Sequence, residues 1–236
     1  MPENKINILC TRPVDDLLQQ AAQAKGIVLD TVSFIETEAI QTIAVQQEVE
    51  QAAIQLATVV FTSMNAVEAV TGILDGHVPH WRIYCIGYRT KALIEEYFGN
   101  HMIAGTADSA RELAELIIED NNTDEVIFFC GDQRRQELPG KLEENNIQVN
   151  EIIVYQTIAI NHTIEKAYDA VLFFSPSAVD SFFTKNKLSN HTIVYAIGIT
   201  TEQTIRKYCS NRIMVSKVPG KENMVEQAIA YFERGT

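Results

Sequence analysis

Two stretches far apart in the chain follow one plan, and that plan leaves few folds open. Val59-Val60-Phe61-Thr62-Ser63-Met64-Asn65-Ala66-Val67 and Val171-Leu172-Phe173-Phe174-Ser175-Pro176-Ser177-Ala178-Val179 each begin with an apolar run short enough for a buried parallel strand. Each run stops at a serine, passes one turn residue and meets a residue of N-cap type, Asn65 or Ser177. An apolar helical period then begins. A strand, a tight turn and a helix start leave unpaired N–H groups and the positive end of a helix dipole at the carboxyl edge of a sheet. An anion can be held there without a lysine.

The rest of the chain keeps the same alternation. Strands are expected at Ile6 to Cys10, Val28 to Phe34, Val59 to Phe61, Ile83 to Gly87, near Met102, at Glu125 to Cys130, Val149 to Tyr155, Ala170 to Phe174, Ile193 to Ile197 and Ile213 to Val215, with helices between most of them. The first helix is expected with Pro13 near its first turn and Gly26 at its close. Ile35 to Gln41 and Gln156 to His162 read as polar extended connections. Such alternation gives parallel sheets with helices on both faces. Ser63 and Ser175 are separated by nearly the same interval as Gly87 and Gly198, the latter pair inside Tyr84-Cys85-Ile86-Gly87 and Tyr195-Ala196-Ile197-Gly198. Cys10 with Cys130, and Phe34-Ile35-Glu36-Thr37 with Val154-Tyr155-Gln156-Thr157, share a slightly longer one. The chain therefore carries two copies of one doubly wound α/β unit of about five strands. Its 236 residues, 46% hydrophobic, suffice for one large domain or two of roughly 100 residues each.

Charge narrows the partners. With 19 basic and 31 acidic side chains the net charge is −12, which argues against nucleic acid or a membrane surface as partner. An acidic small molecule stays open if local donors hold it. No apolar run approaches the roughly 20 residues of a membrane span, and no signal-peptide pattern opens the sequence, so a cytoplasmic protein is expected. Cys10, Cys85, Cys130 and Cys209 form no Cys-x-x-Cys pair and read as buried free thiols. The five histidines show no ligand spacing, so no metal site is expected.

Open parallel sheets bind ligands beyond the carboxyl ends of their strands. The segments there contribute Thr11, Arg12, Thr62, Ser63, Asn65, Arg89, Thr90, Ser175, Ser177, Thr200 and Thr201, a set rich in hydroxyls and poor in acids. Any one of them is accounted for as a helix cap, but recurrence of the set in both halves favours a shared ligand. The glycine-rich nucleotide signatures, the Gly-x-Ser-x-Gly elbow and a strand-terminal phosphoacceptor Asp are all absent. Tyr155, at a strand end beside a connection, is the one phenol placed where both sheets could use it, although a half-buried strand-end tyrosine is also ordinary.

Thr11-Arg12-Pro13, Phe61-Thr62-Ser63-x-Asn65-Ala66-Val67, Ile86-Gly87-x-x-Thr90-x-Ala92-Leu93, Val154-Tyr155-x-Thr157, Phe174-Ser175-Pro176-Ser177-Ala178-Val179 and Ala196-Ile197-Gly198-x-Thr200-Thr201 together resemble the uroporphyrinogen-III synthase family, in order and over nearly the whole chain. The resemblance implies two flavodoxin-like domains joined by two extended connectors. Residues 1–36 with 157–236 would form a discontinuous domain and 37–156 the second. It implies closure of hydroxymethylbilane to uroporphyrinogen III in the interdomain cleft, with loss of water and inversion of ring D. The route is an azafulvene cation, a spiro intermediate, and fragmentation with reclosure. It implies no metal or organic cofactor, a monomer, and transient hand-over of substrate from hydroxymethylbilane synthase. The substrate bears eight carboxylates, which Arg12, Thr62, Ser63, Asn65, Thr90, Ser175, Ser177, Thr200 and Thr201 would grip. Tyr155 matches the family's interdomain tyrosine and would protonate the departing hydroxyl. Uncatalysed closure gives the uninverted isomer, so holding the chain in shape is much of the catalysis. Met64 departs from the family pattern, which often has Pro there.

Two other readings fit the residues. A two-lobed binding or sensory protein would show the same twin sheets and would return its ligand unchanged. A glycosyltransferase-like enzyme would also be doubly wound twice, but both halves are short for that class, and a nucleotide sugar would have to raise the melting temperature.

Overall fold

Ile6–Cys10 (β1) sends Ile8 and Cys10 to one side and Leu9 to the other, all fully buried. Only a strand covered on both faces can do this. In the computed structural model, which describes residues 5–218 and 220–233, β1 is followed by α1 (Asp16–Ala24), β2 (Ile27–Thr31), β3 (Ile35–Ala39), α2 (Ile43–Ala53), β4 (Ala57–Phe61), α3 (Met64–Leu74), β5 (Trp81–Ile86), α4 (Tyr88–Tyr97), β6 (Ile103–Ala107), α5 (Ala110–Asp120), β7 (Glu125–Gly131), α6 (Glu137–Glu143) and β8 (Gln148–Ala159). Then come β9 (Ala170–Phe173), α7 (Pro176–Lys185), β10 (Ile193–Ala196), α8 (Ile199–Ile205), β11 (Ile213–Val215) and α9 (Lys221–Glu233). The chain divides into two compact units, 1–36 with 158–236 and 37–157.

The described residues of the first unit form a five-stranded sheet in the order β2-β1-β9-β10-β11, every neighbour parallel. Numbered within the unit this is 2-1-3-4-5, a doubly wound order. Ala170 and Leu172 join Ile8 and Cys10 on one face under α1 and α9. Val171 and Phe173 join Leu9 on the other, where Phe182 from α7 meets Phe173 edge-on at 5.3 Å.

The second unit contains a six-stranded sheet, β3-β8-β7-β4-β5-β6. Without β3 its order repeats the first sheet, with β7 and β8 in the places of β1 and β2 and with β4, β5 and β6 in those of β9, β10 and β11. The two sequence intervals thus acquire a topological meaning: the longer relates the first two strands of each sheet and the shorter the last three. Val59 and Phe61 enter one core, where Phe61 stacks on Phe129 at 5.2 Å. Val60 enters the other with Phe128 and Leu113.

The mixed α/β class with parallel sheets is as expected, and three local expectations need correction. The helix starts are capped by Ser63 and Ser175, not by Asn65 and Ser177. Both serines have extended backbones, and their Oγ atoms accept from Asn65 N–H (3.2 Å) and Ala178 N–H (3.1 Å). No separate turn residue intervenes, because an extended serine at a strand's end already has the backbone an N-cap requires. The first helix begins at Asp16, after an extended Asp15, and not near Pro13. The two polar connections are strand over much of their length, Ile35–Ala39 as β3 and residues 156–159 as the end of β8, because β3 and β8 are neighbours in one sheet. Ile40 N–H donates to Val154 O (2.8 Å) and Ile160 N–H to Phe34 O (2.9 Å), satisfying backbone groups that polar sequence alone leaves unassigned.

Candidate active site

In a 2-1-3-4-5 sheet the connections leave in opposite directions from the first and third strands, and the crevice between those strands' carboxyl ends is where ligands bind. In the first unit these are β1 and β9. Thr11, just past β1, is 1% exposed, and its hydroxyl donates to Leu172 O (2.8 Å), so it serves the sheet rather than a ligand. Arg12 is exposed and has its guanidinium carbon 5.8 Å from the centroid of Phe174, the residue after β9. Arg12 makes no ion pair among the described residues. Ser175 caps α7, and Pro176 at the first helical position lacks the N–H that would otherwise go unpaired. Ser175 Oγ is an acceptor within the cap, which leaves its O–H free to donate. Ser177 is half-buried two residues further on.

The equivalent crevice of the second unit lies between β7 and β4. Thr62, Ser63 and Asn65 are half-buried there, with Met64 in the place of Pro176. Gly131 ends β7 with no side chain, and the ring of Tyr155 occupies the room. A methyl at position 131 would stand 2.4 Å from Tyr155 Cζ and 2.8 Å from its hydroxyl oxygen. The Tyr155 ring also packs against the core that contains Phe61 and Phe129, and its hydroxyl has no hydrogen-bond partner among the described residues. Asp132 follows: its N–H donates to Tyr155 O (3.2 Å), and its Oδ1 accepts from Thr157 N–H (2.9 Å). Arg134 is paired with Glu151, whereas Arg89 and Arg135 are exposed and make no ion pair among the described residues.

One strand away, Thr90 and Thr201 hold the same place in the first turns of α4 and α8, at 6% and 1% exposure. Thr200 is exposed. Gly87, before α4, has φ +81, a left-handed conformation that favours glycine. Its counterpart Gly198 has φ −172, extended backbone open to any residue. The expected donors of each unit therefore come together at that unit's carboxyl edge, except Thr11, which the sheet consumes. Gly131, Asp132, Phe174 and Arg135 were not singled out as site residues from sequence. The available signal was a glycine ending β7 where the equivalent β1 continues into Thr11.

Other titratable groups and cavities differ in character from these edges. Burial pushes the Cys10 and Cys130 thiols up to about 12, Glu151 adding to the effect at Cys130, so neither is a thiolate near neutral pH. The four cysteines are free, with Cys209 only partly buried. A cavity of about 590 Å³ beside Gly87 and Lys91 is lined by Asp108, Glu112, Glu115 and Glu119, whose charge disfavours an anionic ligand. A second, of about 740 Å³, lies at the amino ends of β4, β5 and β7, opposite the crevice edge. Among the described residues no group of three or more His, Cys, Asp or Glu could hold a metal ion, and no helix is long and apolar enough to cross a membrane.

Residues 16–226 match the family model described as uroporphyrinogen-III synthase HemD. The uroporphyrinogen-III synthase of Saccharomyces cerevisiae is 26% identical over 178 residues, which span 64% of this chain and 64% of the yeast protein. Two solved structures share the fold. Uroporphyrinogen-III synthetase from Helicobacter pylori is 15% identical, with 96% of this chain and 99% of that one covered and a TM-score of 0.67. A mutant uroporphyrinogen III synthase from Thermus thermophilus is 11% identical, with 98% and 100% covered and a TM-score of 0.63.

Proposed function

The chain belongs to the uroporphyrinogen-III synthase family, and from that premise we propose that it cyclises hydroxymethylbilane to uroporphyrinogen III. The hydroxymethyl oxygen leaves as water, giving an azafulvene cation. Ring D attacks through its substituted carbon to give the spiro intermediate. Fragmentation and reclosure then invert the ring, and loss of a proton restores the pyrrole. The observation that carries the reading is the pair of equivalent crevice edges, each lined with hydroxyls and helix N–H groups, one carrying unpaired Arg12 and the other the unpartnered phenol of Tyr155.

Each group has a role in this reading. Arg12, the Ser175 and Ser63 turns, Thr62, Asn65, Ser177, Thr90, Thr200 and Thr201 bind substrate carboxylates through charge-assisted hydrogen bonds. Arg89 and Arg135 join them as cations that make no ion pair among the described residues. Tyr155 donates its phenolic proton to the leaving hydroxyl. Ground-state grip restrains the bilane so that ring D meets the cation through the carbon that inverts it. The protein is further read as a cytoplasmic monomer that takes the labile bilane directly from hydroxymethylbilane synthase.

The test generates hydroxymethylbilane with its synthase, adds this protein, oxidises, and separates the uroporphyrin isomers. Predominant isomer III supports the reading. Isomer I alone from a folded sample overturns it and leaves a binding protein as the better account.

A further inference from the structure

Tyr155 stands on the wrong face for its place in the strand. On β8, Ile152 and Val154 are buried in the Phe61–Phe129 core, so strict alternation would send residue 155 to the opposite face, with exposed Ile153. The ladder between β7 and β8 shifts there: Cys130 faces Ile153, but Gly131 faces Tyr155, leaving Val154 as an extra residue. A bulge of this kind re-aims the side chain that follows it. The ring of Tyr155 consequently returns to the Phe61–Phe129 face and lies directly on the bare Cα of Gly131.

We propose that Gly131 and Asp132 are positioning residues for Tyr155, an inference that rests on the synthase reading above. Gly131 supplies the floor under the ring. Any side chain there meets the ring's outer atoms first, at 2.4 Å for Cζ and 2.5 Å for Cε2, and those atoms are the part of Tyr155 free to swing away. Asp132 brackets the same segment. Its N–H binds Tyr155 O on one side, and its carboxylate accepts Thr157 N–H two residues later. Both ends of the Tyr155-Gln156-Thr157 backbone are thereby tied to the end of β7. The phenol is aimed without any hydrogen bond to its hydroxyl from the described residues, which leaves that O–H for the substrate.

The test compares Y155F, G131A, G131A/Y155F, D132A and D132N in the full chain, by steady-state rate and by isomer ratio. G131A is expected to lower kcat on the order of tenfold, close to the loss in Y155F, with KM changed less than about twofold and more isomer I formed by spontaneous closure. The double variant is expected to be no slower than Y155F, since two changes acting through one side chain do not add. D132A is expected to slow turnover. D132N keeps an oxygen for Thr157 N–H and is expected to restore it. This last pair decides the matter if G131A does not fold. Wild-type turnover in G131A beside a slow Y155F, or additive losses in the double variant, overturns the positioning role while leaving the synthase reading intact. Isomer I alone from the wild-type protein overturns both.

Discussion

Cys10-Thr11-Arg12 and Cys130-Gly131-Asp132 end equivalent strands of equivalent sheets, yet the chemistry they present is opposite. After β1 the side chain of Thr11 folds down to bond Leu172 O, and the residue beyond it offers a positive charge over Phe174. After β7 there is no side chain, a tyrosine ring fills the gap, and the residue beyond is an acid that holds the backbone of that tyrosine. In the proposed reading, one edge grips carboxylates and the other delivers a proton. Duplicated topology gives each unit an equivalent crevice, whereas the two or three residues after the first strand decide which groups line it.

The largest effects should test whether both units are equally well packed. Phe129→Ala and Phe173→Ala remove fully buried rings from corresponding cores, and each is expected to lower unfolding free energy by about 3–5 kcal/mol in urea titrations. A loss below about 1 kcal/mol at either would break the equivalence. Next come two tyrosines at matching places. Tyr84 donates to Asp120 Oδ2, while the buried hydroxyl of Tyr195 has no partner among the described residues. Tyr84→Phe is expected to destabilise by about 1 kcal/mol and Tyr195→Phe to stabilise by a similar amount. Changes of the same sign would refute the contrast. At the strand ends, Thr11→Val is expected to cost about 1 kcal/mol of stability, because Leu172 O keeps its bond from Thr11 N–H, with turnover nearly unchanged. Gly131→Ala should do the reverse, so a thermal melt and a rate for each variant suffice. The smallest effect concerns the caps. Met64→Pro copies Pro176 into the first helical position after an extended Ser63, and it is expected to raise stability by about 0.5 kcal/mol through the unfolded chain. A clear loss would mean that the two turns differ more than their caps indicate.

Much of the architecture was legible because it depends on periodicity. Apolar runs such as Val59 to Phe61 and Ala170 to Phe173 can only be buried on both faces, and the paired intervals announced two sheets. What escaped depends on atoms meeting across strands. The capping role of Ser63 and Ser175 turns on one dihedral pair rather than on residue type, so Asn65 and Ser177 were equally plausible caps from composition. The pairing of the two connectors involves partners more than a hundred positions apart. Tyr155 was expected at a strand's end but lies inside β8, which runs on to Ala159, and its face was not legible either, because alternation fails at a bulge that no residue type announces. Gly131 matters through what lies over it, and only the fold brings Tyr155 there.

Strand order also has a consequence for synthesis on the ribosome. Residues 37–157 are contiguous and can fold as soon as they emerge, but β1 is flanked by β2 and by β9, which begins only at Ala170. Until β9 arrives, the nascent chain carries β1 with one edge unpaired and the Leu9 face without Val171, Phe173 and Phe182, a state prone to misassociation. A chain that stalls after β8 would display a finished second unit and a sticky fragment of the first, so the segment from β9 onward protects β1 and β2.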